Sequence, residues 1–247
     1  MSKIPYKGVV GCVTVPDSFI IVRQGGQCFV TGNCQLEVVI AAHYSQDKNL
    51  LRIINEGVSK HDITNEGLGL NDRHLAKTIN FAAQYQCSPK KIAKLINGTE
   101  EQGKVIWNKY WETYAGERRI VEECIAKVKA NQPIINLFGR RRRFPNVKEL
   151  DHWEREACYR QSYSALIQGS GGDITSEALY LVNDSLRTKG IGKALFTIHD
   201  EVMITARIEA CEEAKYIIKS IMEAVGKKYL SVELKAQVSE PMERWEK

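Results

Sequence analysis

A histidine and two carboxylates stand together in the segment LFTIHDEVMIT, between two apolar runs that predict β-strands. Asp200 and Glu201 would occupy the turn, where carboxylates are costly to bury without a counter-charge. The turn lacks the Asn-Gly or Asp-Gly pair that would by itself explain a plain hairpin. Because oxygen ligands favour hard divalent cations, we expect a Mg²⁺ or Mn²⁺ site here and not a zinc site.

A row of cationic and aromatic residues forms the second candidate. Its members recur every four residues and are Arg73, Lys77, Phe81 and Tyr85. A helix would place them on one face, with Lys77 and Tyr85 about 12 Å apart, the length of an extended nucleoside triphosphate. The cations would then hold phosphates and the rings would face ribose and base. The alternative is an amphipathic helix whose two aromatic residues enter the core.

Two further segments are basic or contain polar groups at helical spacing: NLFGRRRRFP and YRQSYSALIQGSGGD. The first predicts a turn, and its run of four arginines, residues 140–143, indicates phosphate contacts, although such turns are often only solvated surface. The second predicts a helix with Arg160 and Gln168 on one side. Its QGSGG sequence predicts a break between helices.

The elements that must position these residues fall into two parts. Residues 1–33 contain short β-branched and aromatic runs separated by turn residues, which predicts a small all-β part. After Cys34, apolar residues recur at helical spacing, for example Val121, Cys124 and Val128. We therefore predict an α+β chain with a domain boundary near residue 33.

Composition restricts the class of protein. A chain of 247 residues with 43% apolar and 26% charged residues is neither a disulfide mini-protein nor collagen-like nor wholly disordered. No apolar run is long enough to span a bilayer and no signal sequence is recognisable, so we expect a cytoplasmic protein without a membrane partner. The seven cysteines are scattered, which predicts reduced thiols. A net charge of +5 suits a phosphate-rich partner but does not require one.

Taken in order, the segments after Cys34 resemble the C-terminal polymerase region of family A DNA polymerases, over residues 34–247. CQLEVVIAAHYSQD is similar to the family's motif A without its first two residues, RHLAKTINFAAQY to motif B, and IHDEV to motif C. NLFGRRRRFP is similar to the family's T-x-x-G-R-R-R-x-x-P segment. The resemblance implies α-rich fingers, part of a mixed palm sheet, and template-directed DNA synthesis from dNTPs on primer-template DNA.

The resemblance also implies the chemistry. Asp200 would bind Mg²⁺ with help from Glu201, and His199 and Lys77 would complete the catalytic set. Two ions are implied, with Mn²⁺ as a substitute. One ion would lower the pKa of the primer 3′-hydroxyl, and the other would stabilise the pyrophosphate leaving group.

The resemblance also implies binding roles for further residues. Those implied to contact the nucleotide are Arg73, Lys77, Phe81, Tyr85 and Glu37, and those implied to contact DNA are Arg140, Arg141, Arg160 and Gln168. Tyr85 would guard the template-base position, and Glu37 would block a ribose 2′-hydroxyl. Departures from the family pattern, which affect positioning and not the class, are Val39 for Arg, Cys34 for Ser, Ser164 for Asn and Gln86 for Gly.

One departure is more serious. The metal-binding aspartate of motif A should lie two residues before Cys34, where the chain reads Gly32-Asn33. The two metal-binding aspartates are therefore not both present, and we expect that this polypeptide cannot polymerise by itself.

The residues before Cys34 resemble the C-terminal end of an intein, which ends in Asn followed by Cys, Ser or Thr. Asn33 would cyclise and cut the chain after itself, and Cys34 would accept the upstream segment. The usual penultimate His is Gly32 here, but Cys12 and Thr31 are similar to the signature of class 3 inteins, in which the Cys attacks the upstream junction. Taken singly, a buried Cys and a Gly-Asn turn are the better explanations of these residues.

The location of the Asn33–Cys34 junction favours the intein interpretation, because splicing to a partner that ends in Asp-Tyr would regenerate D-Y-C-Q-L-E inside motif A. We therefore predict an intein fragment at residues 1–33 and polymerase fingers and partial palm at 34–247. The chain would be the C-terminal half of a split DNA polymerase, joined to an N-terminal polypeptide by trans-splicing, and would come from a bacteriophage or a bacterium. The alternative is a non-catalytic primer-template-binding remnant with a structural β cap.

Overall fold

The computed structural model describes residues 27–32, 36–84, 86–198 and 200–241, with the backbone alone for 27–32, Phe81 and Gln84. Helices account for most of this part of the chain. They are α1 (Leu36–Ser45), α2 (Lys48–Glu56), α3 (Lys60–Leu68), α4 (Arg73–Gln84), α5 (Pro89–Leu95), α6 (Glu100–Thr113), α7 (Ala115–Lys129), α8 (His152–Thr188) and α9 (Cys211–Tyr229). The strands are β1 (Gln27–Gly32), β2 (Ile134–Ile135), β3 (Arg141–Arg142), β4 (Gly192–Ile198), β5 (Glu201–Ala206) and β6 (Gln237–Val238).

The main sheet has four strands in the order β4-β5-β1-β6, all paired antiparallel. β5 is the apolar strand of this sheet, because every residue from Val202 to Ala206 is buried. β1 belongs to the segment predicted as a separate all-β part, yet it pairs with β5 and β6 in the same sheet as the hairpin. Residues 1–26 lie outside the described residues.

Side-chain caps determine where several helices begin. The Asp47 carboxylate accepts the backbone N–H groups of Asn49 and Leu50 at the start of α2. Thr99 and Gln102 form a reciprocal capping box at α6. Asp151 and Glu154 form the same motif at α8, so α8 starts immediately before the segment that was predicted to contact DNA.

The predicted break at QGSGG is wrong, because α8 continues without interruption for 37 residues from His152 to Thr188. A glycine within a helix costs about 1 kcal/mol relative to alanine, but packing can offset this cost. A Cβ atom at Gly171 would already touch Ile40 at 3.4 Å, and Ile167 and Ile174 on the same helix are buried. Gly171 therefore allows close packing of α8 on α1, and none of the three glycines ends the helix.

The predicted helical periodicity after Cys34 is confirmed. Val121, Cys124 and Val128 are buried on α7. Burial raises the pKa of the Cys124 thiol to about 11, which makes it an inert core group and not a nucleophile. Among the described helices, none combines the length and the apolar character needed to cross a bilayer.

Candidate functional site

The tip of the β4–β5 hairpin carries the predicted carboxylates. Asp200 lies in the turn, and Glu201 is the first residue of β5, paired with Ile198. Both side chains are partly exposed, although the strand that follows them is buried. The two strands predicted to meet at this turn are confirmed, while His199 lies outside the described residues. A hydrophobic strand thus anchors two carboxylates at the edge of the sheet.

The neighbouring strand presents a glycine to this tip. Thr31 of β1 pairs with Val202 of β5, so the same register continued by one residue brings Gly32 opposite Glu201. Gly32 also pairs with Gln237 on its other side. Within the described residues, no group of three or more His, Cys, Asp and Glu side chains could hold a metal ion. Asp200 and Glu201 have the carboxylate oxygens that Mg²⁺ prefers, but the described residues add no third ligand of this kind, and the opposite strand contributes no carboxylate at position 32.

Helix α4 holds the predicted cations on an exposed face. Arg73 and Lys77 are exposed, while Ala76 and Ile79 on the opposite side are fully buried. The Arg73 Nε donates a hydrogen bond of 2.7 Å to Asp62 of α3. Phe81 belongs to the same helix, and Tyr85 lies outside the described residues. The predicted helix is confirmed for residues 73–84, and its buried face orients the two cations towards solvent and α3.

A histidine that sequence analysis missed lies beside these cations. Burial lowers the pKa of His61, and nearby charges lower it further, in the order Arg73, Lys77 and Lys60. The Nδ1 atom of His61 is 3.0 Å from the side-chain amide nitrogen of Asn80. Because an amide nitrogen only donates, Nδ1 accepts and the proton resides on Nε2. His61 thus lies among three cations with its pKa lowered, and no pattern of neighbouring residues predicted this placement, because the cations belong to α3 and α4.

The arginine-rich turn connects β2 to β3 and is held by specific contacts. The Asn136 side-chain oxygen accepts the backbone N–H groups of Phe138 and Arg140. The Arg140 guanidinium donates to Asp173 at 3.1 Å and to the Gly169 carbonyl at 2.9 Å, both on α8. Arg141 and the arginines after it are exposed. One arginine thus fastens the turn to α8, and the next ones remain accessible.

A groove of about 540 Å³ separates this turn from α8. Its polar lining consists of Asn136, Arg140, Arg141, Arg142, Gln161, Ser164 and Gln168. Arg160 lies on the same helix, eight residues or about 12 Å from Gln168, but it lines a different groove, between α8 and the segment 86–129. The predicted DNA-contacting residues Arg140, Arg141 and Gln168 therefore share one groove, and Arg160 does not line it.

Glu37 of α1 lies at the other side of Gln168. Both residues line a cavity of about 20 Å³ together with Lys60 of α3 and Glu117 of α7. The cavity therefore brings together Glu37, for which a nucleotide contact was predicted, and Gln168, for which a DNA contact was predicted. Of the predicted splicing residues, Cys12, Asn33 and Cys34 lie outside the described residues, and Thr31 is described as part of β1.

Comparison with known proteins identifies relatives. A family model described as DNA polymerase family A matches residues 3–247. DNA polymerase I of Borreliella burgdorferi is 30% identical over 210 residues, covering 81% of this chain and 23% of the relative. The thermostable DNA polymerase I of Thermus aquaticus is 26% identical over 228 residues, covering 89% of this chain and 27% of the relative. The chain thus spans about a quarter of the length of these relatives.

A solved structure has the same fold. It is the POL domain of Pol1 from M. smegmatis, in complex with DNA primer-template and dNTP. The TM-score is 0.82 at 22% sequence identity, and the match covers 93% of this chain and 41% of the other.

Proposed function

The chain belongs to DNA polymerase family A, and from this we propose that it forms the fingers and part of the palm of a template-directed DNA polymerase. Primer-template DNA would occupy the groove between Arg141 and Gln168, and a dNTP would lie along α4. The observation that carries this proposal is the continuity of the surface. Lys60, Arg73 and Lys77 all lie near His61, and Lys60 also lines the cavity of Glu37 and Gln168, which shares Ser164 and Gln168 with the basic groove.

The residues of this chain would perform three tasks in nucleotidyl transfer. Arg73 and Lys77 would neutralise the triphosphate, and the Nε2–H group of His61 would donate a hydrogen bond that helps to orient it. Glu37 would exclude a ribose 2′-hydroxyl. Asp200 would contribute metal ligands, with Glu201 beside it. Divalent Mg²⁺, with two ions per site and Mn²⁺ as a substitute, would activate the primer hydroxyl and stabilise the departing pyrophosphate when bound.

The proposal also includes trans-splicing. The Asn33–Cys34 junction follows directly on Gly32, the position that faces Glu201. We propose that a separately encoded polypeptide ending in Asp-Tyr is ligated to Cys34, and that its aspartate takes the place opposite the hairpin tip. Cys12, Thr31 and Asn33 would carry the splicing reactions, which makes residues 1–33 the part that is removed.

A non-catalytic, DNA-binding remnant is the second candidate. The pairing of β1 within the main sheet favours it, since the strand that ends in Gly32 already fills the place beside β5. In that case the chain would bind primer-template DNA without copying it. The two candidates differ in whether residues 1–33 are excised, and this difference can be measured directly.

Mass spectrometry of a mixture with the N-terminal polypeptide decides between them. We expect a ligated product that contains residues 34–247 and loses residues 1–33, and we expect Cys34→Ala and Asn33→Ala to prevent its formation. Cys12→Ala tests the class 3 route separately, because a conventional splicing mechanism would not need that thiol. An absence of ligation, or ligation that continues in both variants, would contradict trans-splicing.

Primer extension tests the polymerase assignment. Asp200→Ala in the ligated enzyme should reduce nucleotide incorporation by a factor of about 10³ or more, because a metal-binding carboxylate is lost. Binding of primer-template DNA should remain nearly unchanged, since Asp200 lies at the hairpin tip and not in the basic groove. An Asp200→Ala enzyme with unchanged incorporation would remove this residue from the metal site.

A further inference from the structure

Strand β4 is irregular between its two ends. At its start, residues 192–194 pair with residues 204–206 of β5, and near the hairpin tip residues 196–198 pair with residues 201–203. Leu195 is left out of this pairing, so two residues of β4 oppose one residue of β5. This arrangement is a β-bulge, and it shifts the register of the strand by one residue.

The bulge determines which residues form the tip of the hairpin. With the bulge, Ile198 pairs with Glu201, and the turn between them contains two residues, the second of which is Asp200. If the register at the start of β4 continued without a bulge, Thr197 would pair with Glu201 and Ile198 would enter a three-residue turn. Such a slip also turns each side chain of the shifted segment to the opposite face of the sheet. The bulge at Leu195 therefore fixes the place of Asp200 in the turn.

The start of β4 has a register that cannot shift. A Cβ atom at Gly192 would collide with the backbone oxygen of Thr205, so this point of the strand requires glycine. The backbone N–H of Arg207 also donates to the Ile191 oxygen at 2.8 Å, directly before the strand. If the start of β4 slipped to match the tip, Lys193 would take the place of Gly192 and bring a side chain into this contact. Loss of the bulge would therefore move the tip and not the start.

Asn183 of α8 holds β4 at the residue before the bulge. Its side-chain oxygen accepts the backbone N–H of Ala194 at 3.1 Å. The same oxygen accepts the Nε–H group of Arg187 at 3.1 Å, one turn further along α8. Because both partners can only donate, they fix the orientation of the Asn183 amide. Val182 and Leu186 on the same helix are fully buried, so the packing of α8 holds Asn183 in place.

We propose that Asn183 is a positioning residue for Asp200, because its hydrogen bond to Ala194 keeps the bulge at Leu195 and so fixes the two-residue turn at the hairpin tip. This inference rests on the proposed role of Asp200 as a metal ligand. Asn183 acts through β4 and not by contact with the metal. Without its oxygen, the half-buried Ala194 N–H group loses its acceptor on α8. A regular ladder then replaces the bulge, and the tip shifts by one residue.

Nuclear magnetic resonance of the full chain tests the register without any activity assay. We expect nuclear Overhauser contacts between Thr197 and Val202 in the unchanged chain, and between Thr197 and Glu201 in Asn183→Ala. Alanine has the higher helix propensity, so the substitution does not weaken α8 itself. Asn183→Asp should keep the original contacts, because a carboxylate oxygen accepts from the same two donors. Asp184→Ala is the matched control, since Asp184 is the exposed neighbour on α8. Unchanged contacts in Asn183→Ala would overturn the proposal.

The Mg²⁺ dependence of the ligated polymerase gives the second test. The KM for Mg²⁺ should rise about tenfold in Asn183→Ala, because a displaced carboxylate binds the ion less well. Asn183→Asp should restore the original KM, and the Kd for primer-template DNA should stay the same in both variants. A KM that stays the same in Asn183→Ala while the unfolding temperature falls would show that Asn183 serves stability alone. An equally raised KM in Asn183→Asp would also contradict the proposal.

Asp200→Ala separates this inference from the proposed function. If Asp200→Ala stops nucleotide incorporation while Asn183→Ala changes neither the strand pairing nor the KM for Mg²⁺, Asp200 keeps its role and the positioning role of Asn183 is refuted. If Asp200→Ala leaves incorporation unchanged, the proposed metal role of Asp200 fails, and with it the consequence of the bulge for Mg²⁺. The strand pairing measured by nuclear magnetic resonance reports on the register in either case.

Discussion

At the scale of single residues, the residue at position 32 decides whether β1 adds a carboxylate near the tip of the β4–β5 hairpin. The register of β1 against β5, continued by one residue, brings it opposite Glu201, the residue that follows Asp200. A carboxylate at this place would add a third oxygen ligand to the proposed metal site, whereas glycine contributes no side chain. On the proposed function, an Asp at this position would complete the metal site and the Gly leaves it incomplete.

We predict that Gly32→Asp strengthens Mn²⁺ binding to the isolated chain by at least about tenfold, because a third carboxylate joins Asp200 and Glu201. Titration followed by electron paramagnetic resonance would measure the Kd. Gly32→Asn is the matched control, since it has nearly the same shape without the charge. The gain should disappear in Gly32→Asp/Asp200→Asn, and equal affinities for Gly32→Asp and Gly32→Asn would contradict the register argument.

At the scale of elements, α8 joins the parts of the candidate site. Its N-terminal half carries Arg160 and Gln168 along the grooves, and its middle packs on α1, which carries Glu37. Asp173 on the same helix anchors the arginine-rich turn through Arg140. One helix therefore sets the distance between Glu37, the residue proposed to select the sugar, and the residues proposed to contact DNA.

Two helix glycines in different surroundings allow a test of how tightly the helices are packed. A Cβ at Gly172 of α8 would meet no atom within 4 Å, while a Cβ at Gly226 of α9 would lie 2.6 Å from Leu234. We expect Gly172→Ala to raise the free energy of unfolding by about 0.5–1 kcal/mol through helix propensity. Gly226→Ala should lower it by about 1–3 kcal/mol through overpacking. Chemical denaturation measures both, and a stabilising Gly226→Ala would contradict the close contact.

At the scale of the whole molecule, charge is distributed unevenly although the net charge is only +5. Exposed arginines of the β2–β3 turn face α8 across an open groove, Lys60 of α3 lines the Glu37 cavity, and Arg73 and Lys77 of α4 lie with Lys60 around His61. Cations that follow one surface attract a polyanion more strongly than the same number scattered at random.

The salt dependence of DNA binding measures this effect. Arg141→Gln should weaken binding of primer-template DNA about equally for all sequences, and it should reduce the slope of log K against log salt by about one. Arg52→Gln is the control, because Arg52 lies on α2 in an ion pair with Glu56 and away from the groove. Unequal effects on different sequences would indicate base contacts in place of phosphate contacts.

The sequence by itself determined the local features of this protein. The spacing of Arg73, Lys77 and Phe81 predicted α4, and the apolar runs around Asp200 predicted the β4–β5 hairpin, because helical and strand periodicities are short-range properties. It also showed that no aspartate precedes Cys34 at the motif A position. Patterns of this kind depend only on residues that are close to one another in the sequence.

Only the tertiary structure decided the remaining features. The glycines of QGSGG continue α8 because Gly171 packs against Ile40, a residue about 130 positions earlier in the chain. The proximity of His61 to the α4 cations, and the cavity that Glu117 shares with Glu37, join residues from different helices. Such contacts depend on how helices pack in space, and the periodicity of a single sequence does not predict which helices will meet.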